Sequence, residues 1–133
     1  ECVLCCAHFS LLLHPCVQGR RNDGMQVLWG AEEVLALLRR HPNVRCWLAG
    51  HQNVPSVVAQ DGMLHVLSPQ LIQSPCGYRV LEVHDEGLRT ECVEIEERDL
   101  AAWSDRAQGR ELVERRGEPG DRSFRWSWRA NSG

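Results

Sequence analysis

The chain has 133 residues, 43% hydrophobic and 25% charged, with a formal net charge of −3. That length holds one domain's worth of core. The mild acidity offers no footprint for nucleic acid or an anionic membrane, and no apolar run reaches the length of a membrane span.

In chain order, "CVLCCAHFSLLL" opens as a short apolar strand and turns polar at His8. The strand is already under way at residue 1, so the chain is expected to be a piece of something longer. Cys2, Cys5, Cys6, Cys46 and Cys92 sit in strand-like runs, where a reduced cysteine acts as a small hydrophobe. Seven cysteines in no regular framework point to a reducing, cytoplasmic compartment. The C-x-x-C of Cys2 and Cys5 lacks the second pair of a zinc site.

"HPCVQGRRNDG", residues 14–24, carries Pro, Gly, Asn and Asp and reads as a loop. "AEEVLALLRRHP" reads as a helix with Val34, Leu35, Leu37 and Leu38 as its apolar stripe. Glu32 and Glu33 in its first turn and Arg39 and Arg40 in its last suit the macrodipole, and Pro42 stops it. "VRCWLAG" is a buried strand. Strand, helix, strand is a βαβ unit with parallel neighbouring strands. Ligands bind beyond the carboxyl ends of such strands, so His8 and His51 are expected to emerge at one edge.

"PSVVAQ" and "MLHVLS" predict a hairpin turning at Asp61-Gly62, and "YRVLEVHDEGLRTECVEI" a second one turning at "DEG". Both are expected to extend a sheet. From Glu97 the chain is charged throughout, with eight Arg against seven Asp or Glu. "RDLAAWSDRAQ" predicts a short helix with Leu100 and Trp103 as its apolar contacts, "RGEPGD" a linker and "SFRWSW" a strand. Phe124, Trp126 and Trp128 among Arg122, Arg125 and Arg129 could stack on bases. The near-cancelling charges favour an edge strand instead. The expected division is 1–96 as part of one domain and 97–133 as a charged extension.

His51 follows a strand and a small Ala49-Gly50 step, which lets a backbone turn tightly beneath a metal. His8 ends the preceding strand in the same way, and Asn53 offers an amide oxygen nearby. His14, His41, His65 and His84 lack this placement and are expected to be structural or solvent-facing.

These stretches, "CVLCCAHFSLL", "AEEVLALLRRHPNVRCWLAGHQN" and "DGMLHVLSPQLIQSPCGYRVLEV", resemble the C-terminal half of calcineurin-like metallophosphoesterases, nearest their bacterial cyclic-nucleotide-phosphodiesterase-like branch. The resemblance spans about residues 2 to 95. It implies an α/β fold: part of a two-sheet sandwich, with a βαβ unit followed by β-hairpins. It also implies two divalent ions (Mn, Fe or Zn) in the full-length parent. By resemblance His8 and His51 bind the second metal, and Asn53 stands where the Gly-His-x-His motif has a histidine for the first. An amide oxygen is the weaker ligand for transition metals.

The family's Asp-x-His, Gly-Asp and Gly-Asn-His-Asp motifs have no match here. The expectation is therefore the C-terminal portion of a metal-dependent phosphoesterase, inactive in isolation. Its partners would be a phosphate ester and the missing N-terminal half, with no nucleic acid and no membrane. The alternative is a noncatalytic binding domain that kept the fold and lost a full metal site.

Overall fold

A computed structural model describes residues 1–18, 25–108 and 115–129. The chain divides into two compact units, Glu1–Gln52 with Val57–Leu67, and Asn53–Ser56 with Ser68–Gly133. It is an α/β protein with two sheets, one mixed and one antiparallel. Among the described residues no helix is long and apolar enough to cross a membrane.

In the first unit, β1 (Val3–Ala7), β2 (Val44–Ala49), β3 (Ser56–Gln60) and β4 (Met63–Leu67) form a sheet in the order β1-β2-β4-β3. β1 and β2 are parallel, with Ala7 level with Ala49, and β2 and β4 are parallel, with Ala49 level with Leu67. Every residue of β4 is buried, which explains its unbroken run "MLHVL": a strand covered on both faces has no polar side to show. The β3–β4 hairpin extends the sheet, with Asp61 (φ 53°) and Gly62 (φ 73°) in the two left-handed positions of its turn.

α1 (Ala31–Leu38) connects β1 to β2. It ends earlier than its sequence suggested. Arg39 is its C-cap and pairs with Asp61 at 2.7 Å rather than lying in the last turn. The stripe is also rotated. Ala31 and Leu35 are buried with Val34 and Leu38 packed beside them, whereas Leu37 is exposed. Spacing of three and four residues from Ala31 sets the covered face. This face joins Leu11, Met63, Val27, Val44 and Trp47 in the core of the unit. Of the 14–24 loop, Pro15–Val17 forms a 3-10 turn, and residues 19–24 lie outside the described residues.

In the second unit, β5 (Gly77–His84), β6 (Gly87–Glu94) and β7 (Ser123–Ser127) form an antiparallel sheet in that order. The second hairpin therefore builds its own sheet and does not extend the first. Arg79 and Leu81 take the half-buried side of β5, facing Leu88, Thr90 and Cys92 of β6 and Phe124 and Trp126 of β7. The Arg79 guanidinium lies 5.8 Å from the Phe124 ring centre and donates to Thr90 Oγ1. "SFRWS" is thus an edge strand with its aromatic side turned to the unit.

α2 (Arg98–Gln108) corrects another expectation: Leu100 and Trp103 are exposed. The helix is held instead by its buried Ser104, whose hydroxyl accepts the Ser74 N–H at 2.8 Å. Within the "RGEPGD" stretch, expected as a linker, α3 (Pro119–Arg122) forms one helical turn. The cysteines form no disulfide; Cys46 and Cys76 are buried, but Cys2 and Cys6 are exposed and do not act as core hydrophobes.

Candidate metal-ligand pair

The parallel register carries β1 and β2 to a common end. Ala7 and Ala49 are partners, and one residue on, the Gly50 N–H donates to the His8 carbonyl at 3.1 Å. His8 and the next residue, His51, therefore start from adjacent strand ends. Their rings meet: His51 Nδ1 lies 3.2 Å from His8 Nε2, with ring centres 5.1 Å apart.

The turn that achieves this is not made by Gly50. A Cβ there would sit 3.9 Å from the His8 carbonyl oxygen, an ordinary contact. The left-handed positions are His51 (φ 59°) and Asn53 (φ 58°). For a histidine this conformation costs roughly 1–2 kcal/mol and needs surrounding structure to hold it. Gln52 supplies some of that. It is buried, and its amide donates to the carbonyls of Leu12 (3.1 Å) and Gln26 (3.0 Å).

The segment after the loop runs beside residue 10. Ser10 bridges Val27 in parallel, and the Leu28 N–H donates to the Ser10 carbonyl at 2.8 Å. This places the Met25 carbonyl 3.0 Å from His51 Nε2. A carbonyl only accepts, so His51 carries its proton on Nε2 and presents the Nδ1 lone pair toward His8. The neighbouring His8 Nε2–H then donates to it.

Asn53, the third residue named by the sequence, opens the segment Asn53–Ser56, which belongs to the second unit. Of the other histidines, His84 is exposed at a hairpin end. His14 and His65 are buried to 0% and 1% exposure. Burial pushes the His14 pKa from 6.5 down to about 4, helped by the nearby His65. Burial likewise takes His65 from 6.5 to about 4, partly opposed by Asp61. Phe9, Met25 and Gln52 also shape the site, and no local sequence pattern marks them, since each acts through a residue at least 26 positions away or through a backbone atom.

Two nitrogens on one tetrahedral ion at roughly 2.0–2.1 Å would lie about 3.3 Å apart. The His8–His51 pair, at 3.2 Å, fits one edge of one such ion. Among the described residues no group of three or more His, Cys, Asp or Glu is placed to hold a metal. The pair fits part of one coordination shell and does not by itself fit a two-metal centre.

No family model and no curated protein matches the sequence. Among solved structures the chain is similar to a dimetal phosphatase from Danio rerio, at 25% identity and a TM-score of 0.55, over 71% of this chain and 30% of that one. It is also similar to a conserved uncharacterized protein, a predicted phosphoesterase, from Streptococcus pneumoniae TIGR4, at 19% identity and a TM-score of 0.43, over 70% of this chain and 45% of that one. The chain thus has a metallophosphoesterase-like fold and spans 30% of the length of the Danio rerio phosphatase.

Proposed function

We propose that the chain is the C-terminal portion of a metal-dependent phosphoesterase, a hydrolase of phosphate mono- or diesters. In this reading His8 and His51 bind one of two divalent ions (Mn, Fe or Zn) and Asn53 contributes to the other. The observation that carries it is the convergence of His8 Nε2 and His51 Nδ1 at 3.2 Å, with the other nitrogen of His51 already committed to Met25. Orienting a metal-binding imidazole through its second nitrogen is the usual way such a ligand is held. The similarity to a dimetal phosphatase supports the same reading.

When bound, the ions supply Lewis-acid polarisation of the phosphate and a more acidic attacking water. The chain's own contribution is positional. His51 offers Nδ1 without any proton shift. His8 offers Nε2 once its proton is held on Nδ1 instead. The other ligands come from an N-terminal half of the same domain, while residues 97–133, expected as an extension, add β7 to the sheet of the second unit. The isolated chain is therefore inactive. The proposal places the protein in a reducing cytoplasmic setting, with a phosphate ester as partner rather than nucleic acid or a membrane.

The test is hydrolysis of bis(p-nitrophenyl) phosphate with excess Mn²⁺. The isolated chain is expected to show none. The longer protein is expected to turn over and to lose at least about 100-fold in His51→Ala, the upper end of what losing a mere outer-shell group costs. Turnover by the isolated chain that vanished in His51→Ala would overturn the assignment of the missing ligands.

One observation favours the noncatalytic alternative. The chain of contacts from His8 to His51 to the Met25 carbonyl satisfies itself with no cation. A longer protein whose activity and stability ignored Mn²⁺ would select that reading.

A further inference from the structure

We propose that Phe9 is a positioning residue that clamps His8 and His51 so that His8 Nε2 and His51 Nδ1 stay turned to each other. The purpose of that clamp rests on the reading above; its existence does not. Phe9 meets both imidazoles. Its ring stands edge-on to His8 at 5.0 Å with an interplanar angle of 89°, and lies over His51 at 4.2 Å, tilted by 42°. The imidazoles are themselves 5.1 Å apart, so each of the three rings touches the other two.

The clamp is anchored on its own backbone. The Phe9 carbonyl accepts the Trp47 indole N–H at 3.1 Å, and the His8 carbonyl accepts the Gly50 N–H at 3.1 Å. Trp47 in turn packs against the core of the unit. An imidazole held by one hydrogen bond can still turn about its Cβ–Cγ bond and exchange a nitrogen for a carbon on the facing edge. Aromatic contacts have preferred geometries, so a ring wedged against both imidazoles resists that turn. His51 has the Met25 carbonyl as a second restraint. Among the described residues the His8 ring has hydrogen-bond or ring contacts with His51 and Phe9 alone, so His8 is the ring that depends on the clamp.

The experiment uses the full 133-residue chain, labelled with ¹⁵N on histidine, at pH 8. Long-range ¹H–¹⁵N spectra report which nitrogen of each ring carries the proton. The expected result is a single Nε2–H form for both His8 and His51 in the wild type and in Phe9→Tyr, which keeps the ring. Phe9→Leu is expected to give averaged tautomers at His8 while the exposed His84 signal stays put. Trp47→Phe, which removes the indole donor but keeps an aromatic ring in the core, is expected to give the same change at His8 to a smaller extent. An unchanged His8 pattern in Phe9→Leu, or in Trp47→Phe should the leucine variant fail to fold, overturns the proposal.

A Zn²⁺ titration of the same samples separates this from the functional reading. Half-saturation is expected to rise about 10-fold in Phe9→Leu and to recover in Phe9→Tyr, the lower end of what a group that orients a metal ligand is worth. Zn²⁺ that left the wild-type His8 and His51 signals untouched would count against the metal reading while the tautomer pattern still decided the clamp.

Discussion

His8 and His51 lie where β1 and β2 run out, and each ring has a bonded nitrogen. His14 and His65 belong to the same unit but are buried. Neither ring nitrogen of His65 has a hydrogen-bond partner among the described residues. The first setting keeps imidazoles reachable, oriented and able to exchange a proton for a cation. The second holds imidazoles neutral, because charging them means taking an ion into the core. Position relative to the strand end, not residue type, separates a candidate ligand from a packing residue that happens to titrate.

The sharpest way to break this contrast is acid. In the fold, His14 and His65 have pKa values of about 4 against 6.5 for an ordinary histidine. The unfolded chain therefore binds more protons than the folded one between those values. Stability is fully present above about pH 6.5 and is lost as pH falls toward 4, by up to roughly 3 kcal/mol per ring. The two losses are not additive, because the charge on His65 is one cause of the His14 shift. Urea unfolding at pH 7.5 and 4.5 should show the drop, and His65→Leu should shrink it. A midpoint that did not move would mean that the buried pair is not held neutral.

The next effect concerns the exposed pair and its third residue. On the proposed function, Asn53→His in a longer protein carrying the remaining ligands puts an imidazole in place of the amide. It should lower the half-saturating metal concentration by about 10–100-fold, the scale of ordinary ligand-shell effects. A titration of activity with Mn²⁺ measures it. An unchanged or raised value would remove Asn53 from the site and leave His8 and His51 as the chain's contribution.

The smallest effect tests the edge of the buried pair. Asp61 raises the His65 pKa and is itself lowered by the Arg39 hydrogen bond and charge. Exposed ion pairs contribute little, and Asn tolerates the left-handed turn position that Asp61 occupies. Asp61→Asn should leave the urea midpoint at pH 7.5 within error and make the acid loss extend to slightly lower pH. A large loss at pH 7.5 would show that the turn needs the carboxylate.

Much of the site's skeleton was legible before any coordinates. Strand, helix, strand with a histidine after each strand is enough to bring His8 and His51 to one edge, because parallel strands joined by a helix end on the same side. What was not legible is what makes them a pair. The Met25 carbonyl reaches His51 because Ser10 bridges Val27, and Phe9 reaches both rings because Trp47 holds its carbonyl. The buried state of His14 and His65 was equally hidden: a histidine in "MLHVL" reads as a polar residue of a hairpin until all five positions prove to be covered.

By itself the sequence determined the order of elements, the Asp61-Gly62 turn and the common strand end of His8 and His51. Apolar periodicity, left-handed turn residues and βαβ handedness are set by neighbours in the chain. Only the tertiary structure decided that Ala31 rather than Leu37 faces the core, that Leu100 and Trp103 face water, and that β5, β6 and β7 form a sheet of their own. It also decided which nitrogen of His51 faces the Met25 carbonyl and which faces His8. Each of these depends on which surfaces are covered, or on contacts between residues 26 or more apart, and local patterns carry no record of that.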